Sequence, residues 1–167
     1  MKSVQKGLGK VLQGKPFALF TKLVFLTITI VQAERERMKI VINDIPPSNN
    51  KYMGKTYNYA VYQEDKRKWH WLIKSAIKER PKKPIEKAII DITYYFKNRT
   101  RRDPDNYSGK MLLDPLVREG ILADDSFNNI ILVLAAGYDK DNPRTEIDIR
   151  SVEDDKRAVK EEKRKAD

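Results

Sequence analysis

The sequence predicts an α+β fold: a single domain in which helices pack on one mixed β-sheet, in the order β-α-β-α-β-β. Two periodicities and their punctuation predict it. Ala88–Lys97 alternates, with Ile90, Ile92, Tyr94 and Phe96 on one face and Asp91, Thr93 and Tyr95 on the other. Period two is the mark of a half-buried strand. Trp69, Leu72, Ile73, Ala76 and Ile77 recur at spacings of three and four, which makes one apolar helical stripe. Pro81, Pro84 and Gly120 stand between such runs, where elements are expected to end.

Met38–Asn43 reads as the opening strand. Ile45–Asn50, with Pro46 and Pro47, reads as a loop because proline cannot donate to a sheet and Ser/Asn favour turns. Thr56–Glu79 reads as a long helix whose wet face carries Lys66, Arg67, Lys68, Lys74 and Lys78. Asn98–Asp105 is a polar, basic connection. Asn106–Arg118 is a second helix with Met111, Leu112 and Leu116 inward, a kink or restart at Pro115, and Gly120 as the residue that ends it. Asn129–Tyr138 and Thr145–Arg150 read as a closing hairpin joined by the turn at 139–143.

The predicted domain covers residues 38–150, between an N-terminal extension, 1–37, and a charged tail, 151–167, with six acids and six bases. The extension has Lys2, Lys6, Lys10 and Lys15 ahead of an apolar run, Phe17–Val31. Its uninterrupted part, Leu23–Val31, is short for a bilayer span. Three readings fit: an export signal ending at Val31-Gln32-Ala33, a surface-lying amphipathic segment, or an upstream extension from a misassigned start codon. Met38, which begins a clean strand, favours the third; Lys22 inside the apolar run counts against the first.

The net charge is +10, which favours polyanionic partners. The chain has no cysteine and one histidine, His70, so thiolate and His-rich zinc sites are excluded. Any metal must be held by oxygen, as Mg²⁺, Mn²⁺ and Ca²⁺ are. Residues 66–102 carry thirteen Lys or Arg against three acids; residues 103–125 carry six acids against two bases. A basic stretch that leads into an acidic cluster suits a metal-dependent nuclease, with cations for the strand and carboxylates for the ion. A solvated basic helix beside an acidic surface is the plainer alternative.

The acidic cluster centres on Arg101-Arg102-Asp103-Pro104-Asp105-Asn106. In extended chain, Asp103 and Asp105 point the same way, and Pro104 stiffens that geometry. Two such carboxylates repel unless a cation sits between them, and a helix starting near Asn106 would add its N-terminal amides. Asp124 and Asp125 follow twenty residues on, where the chain can fold back to supply a third carboxylate. A calcium EF-hand is excluded, since its Gly and Glu positions hold Ser108 and Asp114.

The longer pattern is Arg102-Asp103-Pro104-Asp105-Asn106, Lys110, Leu113-Asp114-Pro115-Leu116, then Gly120-Ile121-Leu122-Ala123-Asp124-Asp125. It resembles the RusA family of Holliday-junction resolvases over about residues 38–150. Two departures stand out. Lys110 lies five residues past Asp105 rather than four, so an extra residue near Gly109 must be accommodated, and Pro115 replaces alanine. The resemblance implies that Asp103, Asp105 and Asp125 bind Mg²⁺ (Mn²⁺ is the other candidate), with Asp124 as a further possible ligand, and that Lys110 supports catalysis. It implies a homodimer that nicks four-way DNA junctions symmetrically in recombination and repair, with no small-molecule cofactor. Arg99, Arg101, Arg102, Lys66, Arg67 and Lys68 are the expected DNA contacts. The expected setting is the cytoplasm of a bacterium or its virus, prophage included, without membrane contact. The alternatives are an inactive protein that only binds branched DNA, a nuclease without junction preference, and a membrane-surface protein using the N-terminal segment. Trp69, Trp71, Tyr94 and Phe96 are expected in the core or a dimer interface, His70 has no expected catalytic part, and Asp114 is expected to be structural.

Overall fold

The computed structural model describes residues 37–53, 59–153 and 156. The N-terminal extension and most of the charged tail therefore lie outside the described residues. Four strands form one sheet: β1 (Met38–Ile42), β2 (Ala88–Phe96), β3 (Ile130–Tyr138) and β4 (Arg144–Ser151). Two helices, α1 (Tyr59–Ala76) and α2 (Lys110–Arg118), join them. The expected α+β architecture and element order are observed.

The sheet order is β1-β4-β2-β3, which corrects the expected closing hairpin. β3 and β4 are consecutive but do not pair. β4 runs antiparallel to both β1 and β2, while β3 lies parallel to β2 on its far edge. Parallel pairing needs a crossover, and the segment containing α2 supplies it. The five residues 139–143 then pass over the end of β2. Asp139 anchors that passage: its N–H donates to Phe96 O at 2.9 Å, and its Oδ1 accepts from the Asp141 and Asn142 N–H groups.

The alternation in β2 does what its period requires. Ile90, Ile92, Tyr94 and Phe96 are buried, as are Ile147 and Ile149 of β4 and Ile40 and Ile42 of β1. Trp69 and Ile73 of α1 and Leu112 and Leu116 of α2 close over this face. Full burial of each such aliphatic side chain contributes about 1.5–3 kcal/mol. Trp71, exposed on the wet side of α1, does not join the core with Trp69, Tyr94 and Phe96; two helical steps, a turn of about 200° from Trp69, carry it to the opposite side.

α2 begins at Lys110, not Asn106. Pro104–Tyr107 instead forms a separate 3-10 turn, and Gly109 sits between them at φ +81°. A Cβ at Gly109 would also press on Ile92 Cδ1 at 3.2 Å, so glycine serves both the left-handed backbone and the close approach. The helix runs through Pro115 to Arg118, and Gly120, two residues on at φ +72°, turns the chain away. Ile121 N–H donates to Leu116 O and Gly120 N–H to Val117 O, a paired closure that satisfies the last carbonyls.

Candidate active site

Asp103 has extended backbone (φ −102°, ψ 137°), as the following proline requires. It stands at the start of the 3-10 turn, yet its carboxylate makes no capping bond. The side chain is 55% exposed, with Arg101 Nη2 at 3.4 Å. The extended geometry stops there. Asp105 lies inside the turn, so the alternation expected to align Asp103 with Asp105 does not carry over. Pro104 is the physical reason: its fixed φ suits the first turn of a helix and starts one. Asn49 pins the turn from across the chain. Its Nδ2 donates to Asp105 O at 2.8 Å and to Ser108 Oγ at 3.2 Å. Tyr107 packs edge-on against Phe96, centroids 5.1 Å apart, and seats the turn on the sheet.

Asp103 lines a small cavity with Tyr94, Phe96, Arg102, Tyr107 and Leu134–Ala136 of β3. Burial pushes the Tyr94 phenol up, partly opposed by the Gly109 backbone, and its hydroxyl has no well-formed hydrogen bond among the described residues.

Asp125 lies elsewhere. It lines a groove of about 310 Å³ with Lys66, His70, Asp114, Arg118 and apolar atoms of α2. The loop that carries it is fixed to the chain entering β2: Ile85 N–H donates to Ile121 O and Ala123 N–H to Ile85 O. Asp114 of this groove bridges two cations, Lys66 Nζ at 2.6 Å, also in the groove, and Lys110 Nζ at 3.6 Å. The Asp114 hydrogen bond holds the Lys66 ammonium above its usual pKa. Deeper along α1, Glu119 accepts from His70 and Arg80, and these bonds hold its carboxyl below the usual range.

The structure thus brings Lys66 and Lys110 together through Asp114, beside Asp125. It places Asp103 and Asp125 on two separate cavities. Among the described residues, no three acids or histidines stand close enough to enclose an ion. Asp105, Asp124 and Asp125 are exposed and have no ion pair among the described residues.

The expected DNA contacts divide as well. Arg102 is held by its own loop, donating to Asn98 O, Asn98 Oδ1 and Thr100 O while lying 4.0 Å over the Phe96 ring. Arg99 lies 4.9 Å over Tyr138, and Arg101 is almost fully exposed. Lys68 pairs with Asp44 at 2.7 Å, and Arg67 is exposed.

A family model, Endodeoxyribonuclease RusA, matches residues 44–150. The chain belongs to the RusA endodeoxyribonuclease family. No curated protein matches it. The RusA match takes in both cavities, the 3-10 turn, α2 and the Asp124-Asp125 loop. The protein is therefore a DNA-cleaving nuclease by family, and its acidic turn and loop both lie inside the matched domain.

Sequence reasoning missed one residue at this site, Asn49, and gave no role to a second outside it, Phe127. Asn49 was visible only as part of a Pro-Pro-Ser-Asn loop, with nothing to say that it reaches Asp105. Phe127 was a lone aromatic in the polar stretch Asp-Asp-Ser-Phe-Asn-Asn, and that isolation was the available signal.

Proposed function

We propose that this chain is a Mg²⁺-dependent endonuclease that resolves four-way DNA junctions by symmetric nicking, as a homodimer, in recombination and repair. The setting we propose is the cytoplasm of a bacterium or its virus. The observation that carries the reading is the pairing pattern of the acids within a RusA domain. Asp103, Asp105, Asp124 and Asp125 stand exposed and largely unneutralised in a chain of net charge +10.

The donor chemistry fits a hard divalent ion, since carboxylates are the only acidic donors near the turn. Mg²⁺ is commonly held by one or two carboxylates, with waters and substrate phosphate completing the shell. Asp103, Asp105 and Asp125, with Asp124 beside it, are the proposed ligands; because Asp103 and Asp125 line separate cavities in the free chain, a shared ion would require the turn and the loop to draw together on bound DNA. When bound, the ion draws charge from phosphoryl oxygens and acidifies water. Lys110 stabilises charge developing on the phosphate. Asp114 orients that ammonium and the Lys66 ammonium toward the groove. Arg99, Arg101 and Arg67 contact backbone phosphates, and Arg102 stiffens the loop that presents them.

The β3 edge supports the dimer. It is nine residues long and apolar, with Ile131 55% and Val133 46% exposed. A long apolar edge strand is a template for a second copy of the chain, and a two-fold axis would place two like sites on opposed strands.

The test is nicking of a synthetic four-way junction and of matched duplex, with Mg²⁺ and with EDTA, by wild type and Asp105→Asn. We expect cutting of the junction only, only with Mg²⁺, and a loss of about a thousand-fold in the variant with binding retained. Equal cutting by Asp105→Asn would refute the metal assignment, and equal cutting of duplex would refute junction selectivity.

A further inference from the structure

We propose that Phe127 is an apolar wedge that stacks on bases at the branch point of bound DNA; this rests on the junction-nuclease reading above. Its side chain is 103% exposed, the most exposed large apolar residue described. A phenyl ring held wholly in water gains nothing for the folded monomer. Yet the turn that holds it is well built. Asn129 and Ile130 N–H both donate to Ser126 O, at 2.9 and 3.0 Å. Ser126 Oγ donates to Asn129 Oδ1 at 2.7 Å, and Asn129 Nδ2 donates to Glu86 O at 2.9 Å. Asn129 O in turn accepts from Ala88 N–H, the first residue of β2. Phe127 is thus projected outward from a turn anchored to the central strand.

Its position selects the occupant. Phe127 follows Asp125 by two residues, a reach of roughly 7 Å along the chain. Asp125 shares its groove with Lys66 and Arg118. A phosphate backbone attracted by those cations would run past the phenyl ring. Bases have apolar faces that stack on aromatics, and apolar side chains that enter base steps unstack them. A branch point is where unstacking costs least, because stacking is already interrupted there. The wedge would therefore favour branched over continuous duplex, a specificity that phosphate contacts alone do not provide.

The experiment uses the full chain and a four-way junction with 2-aminopurine beside the branch. Fluorescence is read in EDTA, and nicking is read with Mg²⁺ or Mn²⁺. Wild type should raise the fluorescence on binding. Phe127→Ala should lose that rise and nick junctions about ten-fold more slowly. Its affinity for linear duplex should stay within about two-fold, because phosphate contacts dominate it. Phe127→Trp should restore both signals. An alanine variant that keeps the fluorescence rise and the rate overturns the proposal. So does one that sediments as a smaller species than wild type, since Phe127 would then be a subunit contact. Junction cutting by wild type without any fluorescence rise overturns the wedge alone. Failure of wild type to bind junctions overturns the nuclease reading, and the wedge with it.

Discussion

The acids on the polar face of the sheet and the acids on the rim around α2 live under opposite rules. On the sheet, Asp91 and Glu146 each have a cation, as does Asp139 in the loop between β3 and β4. Glu146 accepts from Lys39 at 2.8 Å and from Arg144 at 2.6 Å; Arg144 also reaches Asp139 at 2.7 Å, and Arg150 pairs with Asp91. Hydrogen bonding to Lys39, then to Arg144, holds the Glu146 carboxyl below its usual range. On the rim, Asp105, Asp124 and Asp125 have no such partner among the described residues. The difference teaches where charge has been neutralised by folding and where it remains for something outside the chain. Between the two lies Asp114, an acid on the rim's helix whose charge is satisfied by two lysines.

Amide substitutions should break this contrast in opposite directions. The largest effect belongs to the rim. Asp125→Asn should cut junction nicking by about a hundred-fold or more, with a melting temperature equal to or above wild type because a like charge near Asp124 is gone. A melting temperature well below wild type would show that the rim acids do support the fold. Next comes Asp114→Asn, which frees Lys66 and Lys110. Nicking should fall about ten-fold, mostly in kcat rather than KM, while Lys66→Met alone leaves most of the rate. Equal losses in the two variants would mean that Lys66, not the bridge, matters.

Glu146→Gln should do the reverse: roughly 1 kcal/mol less stable at pH 7 in chemical denaturation, with nicking unchanged. Its pH dependence has a definite sign. The folded-state pKa of Glu146 is depressed, so its contribution is present above the ordinary value of 4.5 and lost as pH falls through the folded value. Wild type and variant should therefore converge in stability below that value. Asp65 adds to the same acid sensitivity: burial raises its pKa, but hydrogen bonds from Lys51 and Tyr52 together outweigh it. The smallest effect should be a thermal shift of about 1–2 °C on adding Mg²⁺ to the free protein near its dissociation constant. Asp105→Asn should abolish that shift, and Glu146→Gln should keep it.

Much of this contrast was legible in the chain. The alternating faces of β2 were read correctly, whereas the spacing of the aspartates did not reveal that Asp103 and Asp125 line separate cavities. Pro104 was read as a stiffener, but its effect was to start a 3-10 turn rather than to prolong a strand. The helix expected from Asn106 failed at Gly109, whose left-handed backbone only makes sense with Ile92 pressed against it.

Local physics reaches a few residues along the chain. It sets which segments can be strand or helix, which face of each turns inward, and that Gly120 closes α2, because these depend on nearest-neighbour sterics and on burying an apolar stripe. Partners far apart in the chain obey a different constraint. The insertion of β4 between β1 and β2, the Lys66–Asp114 pair 48 residues apart, the reach of Asn49 to Asp105 and the separation of Asp103 from Asp125 follow only once the sheet has assembled. Many strand orders bury the same apolar faces, and only packing in three dimensions chooses among them.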